Sequence, residues 1–145
     1  MEDLHKPANL YPADAIPALL REHDIALTHQ RLQIGQVLFA CCQHLSADQI
    51  LSQVNKEHPE TSKATVYNTL KLFLEKGLVR EVIVDPTRVF YDPNMMPHHH
   101  LYHIETGELT DIDATNVAVS GVPPLPQGLR QDGVDIIVRV KSAAQ

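Results

Sequence analysis

Residues 62–77 read SKATVYNTLKLFLEKG and are followed by two apolar segments, LVREVIV (78–84) and RVFYD (88–92). Ser62 is a typical N-cap residue, and the apolar residues after it recur at helical spacing until Gly77, a typical C-terminal residue. This stretch is therefore predicted to be a helix. The two segments behind it are separated by an Asp-Pro-Thr turn, which predicts a two-stranded β-ribbon.

Upstream of this helix the pattern predicts three more helices. The first covers residues 14–23, the second begins after the N-cap Thr28, and the third begins after the N-cap Ser46 and ends before Pro59. Helices followed by a β-ribbon describe a winged helix-turn-helix, whose last helix enters the major groove of DNA. The predicted class is α+β, an N-terminal winged helix-turn-helix followed by a small α/β dimerisation lobe.

The rest of the chain is predicted to form that second lobe. We place the winged-helix domain at 1–92, a hinge at 93–97, and a dimerisation and metal-binding domain at 98–145. The second lobe is too short to bury much surface alone, so we expect it to complete its core in a homodimer. DNA readers of this class commonly pair to match two half-sites.

Composition and charge narrow the partners. The chain has 145 residues, of which 43% are hydrophobic, and neither a membrane-spanning run nor a signal-peptide pattern is present, so a cytoplasmic protein without a membrane partner is predicted. The net charge of −6 argues against nucleic-acid binding. However, residues 61–80 carry four basic side chains against one acidic side chain, and local charge matters more for a protein that grips one groove.

The fourth helix supplies the candidate DNA contacts. Tyr67 and Asn68 are predicted to reach base edges, while Lys63, Thr65 and Lys71 are predicted to contact phosphates. The alternative is an ordinary surface helix with a polar face. The capped start, the polar and cationic first turn and the following β-ribbon favour the recognition helix.

Residues 98–113, HHHLYHIETGELTDID, are the candidate metal-binding stretch. Alternation of side chains along a strand places His98 and His100 on one face, and Asp111 returns on the paired strand. Imidazole and carboxylate together suit iron, manganese or zinc. The alternative is a solvated histidine-rich loop. The adjacent Cys41 and Cys42 cannot form a CxxC motif and are predicted to be core residues in a reducing compartment.

The order of these motifs resembles the ferric uptake regulator superfamily of bacterial metal-responsive repressors. The resemblance rests on LTHQRLQIGQVL, HLSADQIL, SKATVYNTLKLFLEKGLVREV and the histidine strand ending in GELTDID, and covers roughly residues 20–115. It implies a homodimeric repressor that binds double-stranded DNA at an AT-rich palindromic operator. It also implies one divalent metal per subunit between the lobes, Fe²⁺ or Mn²⁺, with Zn²⁺ able to occupy the site in vitro. The positions that match the ligands are His44, Asp92, His98, His100 and Asp111.

The chain also departs from the family pattern. Most relatives hold a structural zinc with two CxxC pairs, but here the first pair falls at His103 and Thr106 and the second is absent, so no structural zinc is predicted. Some relatives have a further metal site. This site is not predicted here, because His99 alone among the four matching positions can bind a metal. Those positions are Pro97, His99, Ala118 and Val134.

Two branches of the superfamily share these departures. The pair of aspartates, Asp92 and Asp111, resembles the peroxide regulators, in which iron(II) reacts with peroxide and a ligand histidine is oxidised. The triple histidine resembles the iron response regulators, whose motif is associated with haem. We predict a peroxide-sensing repressor, with an iron- or haem-responsive regulator as the alternative. A non-haem metal enzyme is disfavoured, because no substrate pocket or separate general base is evident. The remaining histidines are assigned no site: His5, His23, His29, His58, His99 and His103.

Overall fold

The computed structural model describes residues 11–40 and 44–143. His5 and the Cys41–Cys42 pair, for which predictions were made, lie outside the described residues. The chain divides into two compact units, Met1–Met95 and Met96–Gln145. The division falls inside the segment proposed as a hinge, whose hinge role stays a prediction.

Three helices of the first unit begin at side-chain caps, and the predicted cap residues are confirmed. Thr28 Oγ1 accepts a hydrogen bond from the Arg31 N–H at 3.2 Å, and Ser62 Oγ accepts one from the Thr65 N–H at 3.1 Å. Ser46 forms a full capping box with Gln49. The helices are α1 Ile16–Glu22, α2 His29–Phe39, α3 Ala47–Glu57 and α4 Lys63–Glu75, with a 3₁₀ turn at Ala13–Ala15 before α1.

The predicted end of α4 at Gly77 is also confirmed. Gly77 has φ +74°, a conformation that costs a residue with a Cβ more than it costs glycine. Its N–H donates to the Leu74 carbonyl at 3.1 Å, and the next N–H, of Leu78, donates to the Phe73 carbonyl at 2.9 Å. This pattern satisfies carbonyls that the helix end would leave unpaired, and it turns the chain into the β-ribbon.

The ribbon, or wing, consists of β1 Arg80–Asp85 and β2 Arg88–Asp92, paired antiparallel as predicted. One bridge ties it to the helices, because the Tyr91 N–H donates to the Leu45 carbonyl at 2.8 Å, just before α3. The core of this unit lies between the helices and the wing. Its fully buried side chains include Ile16, Leu20, Ile34, Leu38, Ile50, Val66, Leu70 and Phe73.

The second unit contains a three-stranded sheet. The strands are β3 His98–His103, β4 Leu109–Asp113 and β5 Ile137–Val140, in the order β4-β3-β5, and a 3₁₀ turn lies at Ala114–Asn116. β4 runs antiparallel and β5 parallel to the central β3. The histidine strand and its returning partner were predicted. No described helix is long and apolar enough to cross a membrane.

The segment between β4 and β5 is irregular and largely exposed. Every residue of 118–135 is exposed. Five large apolar side chains lie in this segment with more than a third of their surface accessible: Val119, Val122, Leu125, Leu129 and Val134. A monomer that leaves so many apolar side chains accessible has surface available for association.

The capping box of α3 gives a test of this fold. Ser46→Ala removes the oxygen that accepts the Gln49 N–H, so we expect the free energy of unfolding to fall by about 1 kcal/mol in urea titrations followed by circular dichroism. Ser52→Ala is the matched control, because Ser52 is exposed in the middle of the same helix and caps nothing. Equal destabilisation by both variants would contradict the assigned role of the cap.

Candidate functional site

Two of the predicted metal ligands meet in the first unit. The bridge between Leu45 and Tyr91 sets His44 beside Asp92. Nδ1 of His44 lies 3.5 Å from Oδ1 of Asp92, and both side chains are buried. The Asn94 N–H donates to the same carboxylate oxygen at 2.9 Å and thereby holds its orientation. These two side chains form the first half-site.

The other three predicted ligands meet in the second unit. His100 and Asp111 are direct partners in the antiparallel register of β3 and β4. Oδ1 of Asp111 lies 3.3 Å from Nε2 of His98 and 3.6 Å from Nε2 of His100. Both imidazoles are buried, and their ring centroids are 4.6 Å apart. These three side chains form the second half-site.

The tautomer of His98 follows from its other nitrogen. Nδ1 of His98 lies 2.6 Å from the Met96 carbonyl oxygen, which can only accept a hydrogen bond, so the ring hydrogen belongs on Nδ1. In the neutral imidazole, Nε2 then presents a lone pair towards the Asp111 carboxylate. A lone pair facing a carboxylate is favourable only with a proton or a cation between them. A carbonyl that orients a ligating imidazole in this way is the usual arrangement around a bound metal.

The distances within each half-site fit metal coordination. Two donors bound to one ion at about 2.1 Å lie roughly 3.0–3.5 Å apart at octahedral to tetrahedral angles. The separations of 3.3–3.6 Å are close to that range, so only small side-chain movements are needed. Neutral imidazole with carboxylate suits iron, manganese and zinc alike. The residues therefore fit a divalent transition metal, and the donor types do not select one.

Four of the other described histidines have local structural contacts: His23, His29, His58 and His99. Nδ1 of His99 accepts the Ile136 N–H at 3.0 Å, which fastens the chain before β5 to β3. Nδ1 of His23 donates to the Leu19 carbonyl at 2.9 Å. His29 hydrogen-bonds Gln33 at 2.7 Å and stacks edge-on with His58. These contacts agree with leaving these histidines outside the site.

The five predicted DNA contacts all lie on α4. Tyr67 is 44% exposed, and Asn68 and Lys71 are exposed beside it, opposite the buried stripe of the helix. The Lys63 ammonium lies 5.7 Å from the centre of the Tyr67 ring and 3.6 Å from the Asp48 carboxylate of α3. Thr65 is half-buried, and its hydroxyl hydrogen-bonds the Ser62 cap at 2.9 Å. The helix thus presents an aromatic ring, an amide and two ammonium groups on one accessible side.

Next to this side lies a concavity that the sequence did not reveal. It is formed by the start of α3, by Tyr67 and by the wing residues Arg88 and Tyr91. The bridge that brings β2 to the start of α3 has no local sequence signal, so neither wing residue was predicted to have a role.

Comparisons with known proteins identify the family. The model of the ferric uptake regulator family matches residues 22–121. The peroxide-responsive repressor PerR of Staphylococcus aureus strain Mu50 / ATCC 700699 is 32% identical over 94 residues, and PerR of strain USA300 is 31% identical. Each alignment covers 65% of this chain and only 64% of the relative's length.

Solved structures agree in fold. A zinc-bound manganese uptake regulator matches with a TM-score of 0.68, covering 89% of this chain and 99% of that one. The Vibrio cholerae ferric uptake regulator matches with a TM-score of 0.69, covering 88% and 99%. The Campylobacter jejuni peroxide stress regulator matches with a TM-score of 0.58, covering 91% and 96%. All three are 20% identical to this chain, which supports the fold alone. Because the family model spans more than half of the sequence, the chain belongs to the ferric uptake regulator family.

Proposed function

We propose that this protein is a homodimeric, metal-dependent transcriptional repressor that senses peroxide through one iron or manganese ion per subunit. The observation that carries the proposal is the pair of half-sites, each with donors already close together inside its own unit. We infer that a single ion takes ligands from both. All five side chains offer a nitrogen or a carboxylate oxygen suited to such an ion.

Ligands drawn from two units give the ion a means of control. An ion held by both half-sites restricts the orientation of the winged-helix unit relative to the second unit. It then raises DNA affinity only by as much as it prefers the arrangement that binds DNA. Couplings of this kind are typically about 1–3 kcal/mol, or roughly 5- to 150-fold in affinity.

Several side chains prepare the site for the ion. The Met96 carbonyl keeps the Nε2 lone pair of His98 directed at the site, and the Asn94 N–H holds the Asp92 carboxylate. Burial of His98, His100 and Asp92 limits water around the site. When iron(II) is bound, it supplies the electron that cleaves peroxide beside these imidazoles. The peroxide assignment is supported by the similarity to proteins named peroxide-responsive repressor and by the two aspartates among the predicted ligands.

DNA binding is supported by the accessible side of α4, with Tyr67, Asn68, Lys63 and Lys71, next to a β-ribbon. An AT-rich palindrome read by two subunits is the proposed operator. Dimerisation through the second unit is supported by the exposed apolar side chains of residues 118–135. An enzymatic role has no comparable support, because the titratable groups of the half-sites are all needed as ligands.

Metal control can be tested with Asp111→Asn. The selected duplex is the DNA sequence that the wild-type protein enriches from a pool of random duplexes. We expect saturating manganese(II) to tighten binding of the wild-type protein to this duplex by about 10- to 100-fold. In Asp111→Asn the affinity for manganese(II) falls at least about tenfold, and the metal no longer tightens DNA binding, whereas metal-free DNA binding is unchanged. Titration calorimetry and fluorescence anisotropy measure the two affinities.

The matched control for this variant is Asp132→Asn, which makes the same charge change at an exposed position of the second unit. It should behave as the wild type does in both measurements. A wild-type protein that binds DNA equally well with and without every divalent metal tested would contradict metal control.

DNA recognition can be tested with a pair of variants on α4. Tyr67→Ala removes the aromatic side chain predicted at a base edge, so we expect the preference for the selected duplex over random duplex to fall about tenfold or more. Lys71→Ala should weaken binding to both duplexes equally and reduce the slope of log K against log salt by about 0.9. Full sequence preference in Tyr67→Ala would rule out the assigned base contact.

The signal can be tested by adding peroxide without oxygen present. The iron(II)-loaded protein should release DNA irreversibly and gain one oxygen atom on His44, His98 or His100, located by peptide mass spectrometry. The manganese(II)-loaded protein should keep its DNA, because manganese(II) does not supply the electron to peroxide as readily. Release by haem from a protein that needs no metal to bind DNA would replace peroxide sensing with an iron- or haem-responsive role.

A further inference from the structure

The concavity beside α4 has a volume of about 450 Å³ and belongs entirely to the first unit. Its walls are the first turn of α3, one residue of α4, and the turn and second strand of the wing. The residues that line it are Ser46, Ala47, Asp48, Gln49, Tyr67, Thr87, Arg88, Val89, Phe90 and Tyr91.

The start of α3 contributes two backbone donors to this concavity. The first N–H groups of a helix have no partner within the helix. The capping box uses two of them, since the Ser46 N–H donates to Gln49 Oε1 at 2.9 Å and the Gln49 N–H donates to Ser46 Oγ at 3.3 Å. Within the described part of the chain, no acceptor receives the N–H groups of Ala47 and Asp48. Such donors at the positive end of a helix dipole favour an anion.

Tyr91 adds a second, independent donor. Its side chain is only 7% exposed, and it lines the concavity. Among residues 11–40 and 44–143, no group hydrogen-bonds its hydroxyl. A tyrosine hydroxyl can donate a hydrogen bond to a ligand that accepts.

Charges of both signs lie around the concavity, because the Glu81 carboxylate is near Tyr91 and the Asp85 carboxylate is near Arg88. Arg88 is exposed on the wing and lines the concavity with its cationic side chain. Among the residues lining the concavity, Asp48 carries the one carboxylate, and the Lys63 ammonium lies 3.6 Å from it. The Thr87 hydroxyl already donates to Asp85 at 2.7 Å. Arg88, the Tyr91 hydroxyl and the N–H groups of the first turn of α3 are donors, which an acceptor-only group such as phosphate can use.

We propose that this concavity binds one phosphate of the DNA backbone, through Arg88, the Tyr91 hydroxyl and the first turn of α3. A backbone phosphate is favoured over a free anion because Tyr67, the predicted base-reading residue, lines the same concavity. When Tyr67 contacts base edges in a groove of the duplex, backbone phosphates lie on either side of that groove. The proposal rests on the proposed DNA-binding function and adds a contact that positions the duplex without reading its sequence.

The test is a scan of the selected duplex in which single phosphates are replaced by neutral methylphosphonates. We expect one position in each half-site at which the replacement weakens wild-type binding by about tenfold. Arg88→Gln and Tyr91→Phe should each weaken binding to the unmodified duplex about five- to tenfold, equally for selected and random sequences. When the methylphosphonate is placed at the sensitive position, the DNA affinity of each variant should fall no further.

Two controls accompany these variants. Lys56→Gln removes one positive charge at the opposite end of α3. A methylphosphonate at the sensitive position should therefore weaken DNA binding by this variant as much as it weakens binding by the wild type. Manganese(II) affinity should be unchanged in Tyr91→Phe, which excludes damage to the neighbouring Asp92 half-site.

Three results would overturn the proposal, and they can be told apart. If the variants and the wild type respond alike at every phosphate, the concavity holds none, and the repressor function stands. If inorganic phosphate binds the wild-type protein but not Arg88→Gln, and no duplex position is sensitive, the concavity serves a free anion. If the wild-type protein selects no duplex at all, the DNA-binding function itself fails.

Discussion

In the described part of the first unit, a backbone bridge between Leu45 and Tyr91 positions both of its proposed sites. The hydrogen bond from the Tyr91 N–H to the Leu45 carbonyl, 2.8 Å long, joins the chain before α3 to the second strand of the wing. It sets His44 beside Asp92, which makes the first half-site. It also brings the Tyr91 side chain to the first turn of α3, which makes the concavity. Neighbouring residues of β2 thus serve two sites, because side chains alternate faces along a strand.

The second unit depends on strand register in the same way. His100 faces Asp111 across β3 and β4, and His98 reaches the same carboxylate from two residues away. A shift of one residue would set Thr110 or Ile112 opposite His100 and would turn the carboxylate to the other face. The buried Tyr102 and Leu109, paired at the far end of the ladder, oppose such a shift because it would expose them.

The features that sequence could predict are those decided within a few residues. Ser46 caps α3 by a contact with Gln49, three residues away, and His98, His100 and Asp111 follow from alternation on two consecutive strands. The contact between Leu45 and Tyr91 joins positions 46 residues apart through one bridge, without periodicity that a pattern could detect. His44 was therefore reached only through the family resemblance, and the concavity was not foreseen. The irregular segment 118–135 shows no periodicity that would predict its course.

Electrostatics gives the ion a second effect on DNA binding, separate from orientation. The chain carries a net charge of −6, which opposes the approach of DNA. In the proposed function, a divalent ion held by Asp92 and Asp111 would cancel two of those six negative charges without altering a basic residue. At physiological salt the effect of this change in charge is screened over about 8 Å. It therefore influences the long-range approach of DNA mainly at low salt. The proposed orientational effect would need no such range, because it would act by restricting how the two units move relative to each other. The part of the metal-induced gain in DNA affinity that survives high salt must therefore come from orientation. The part that is lost at high salt comes from the change in charge.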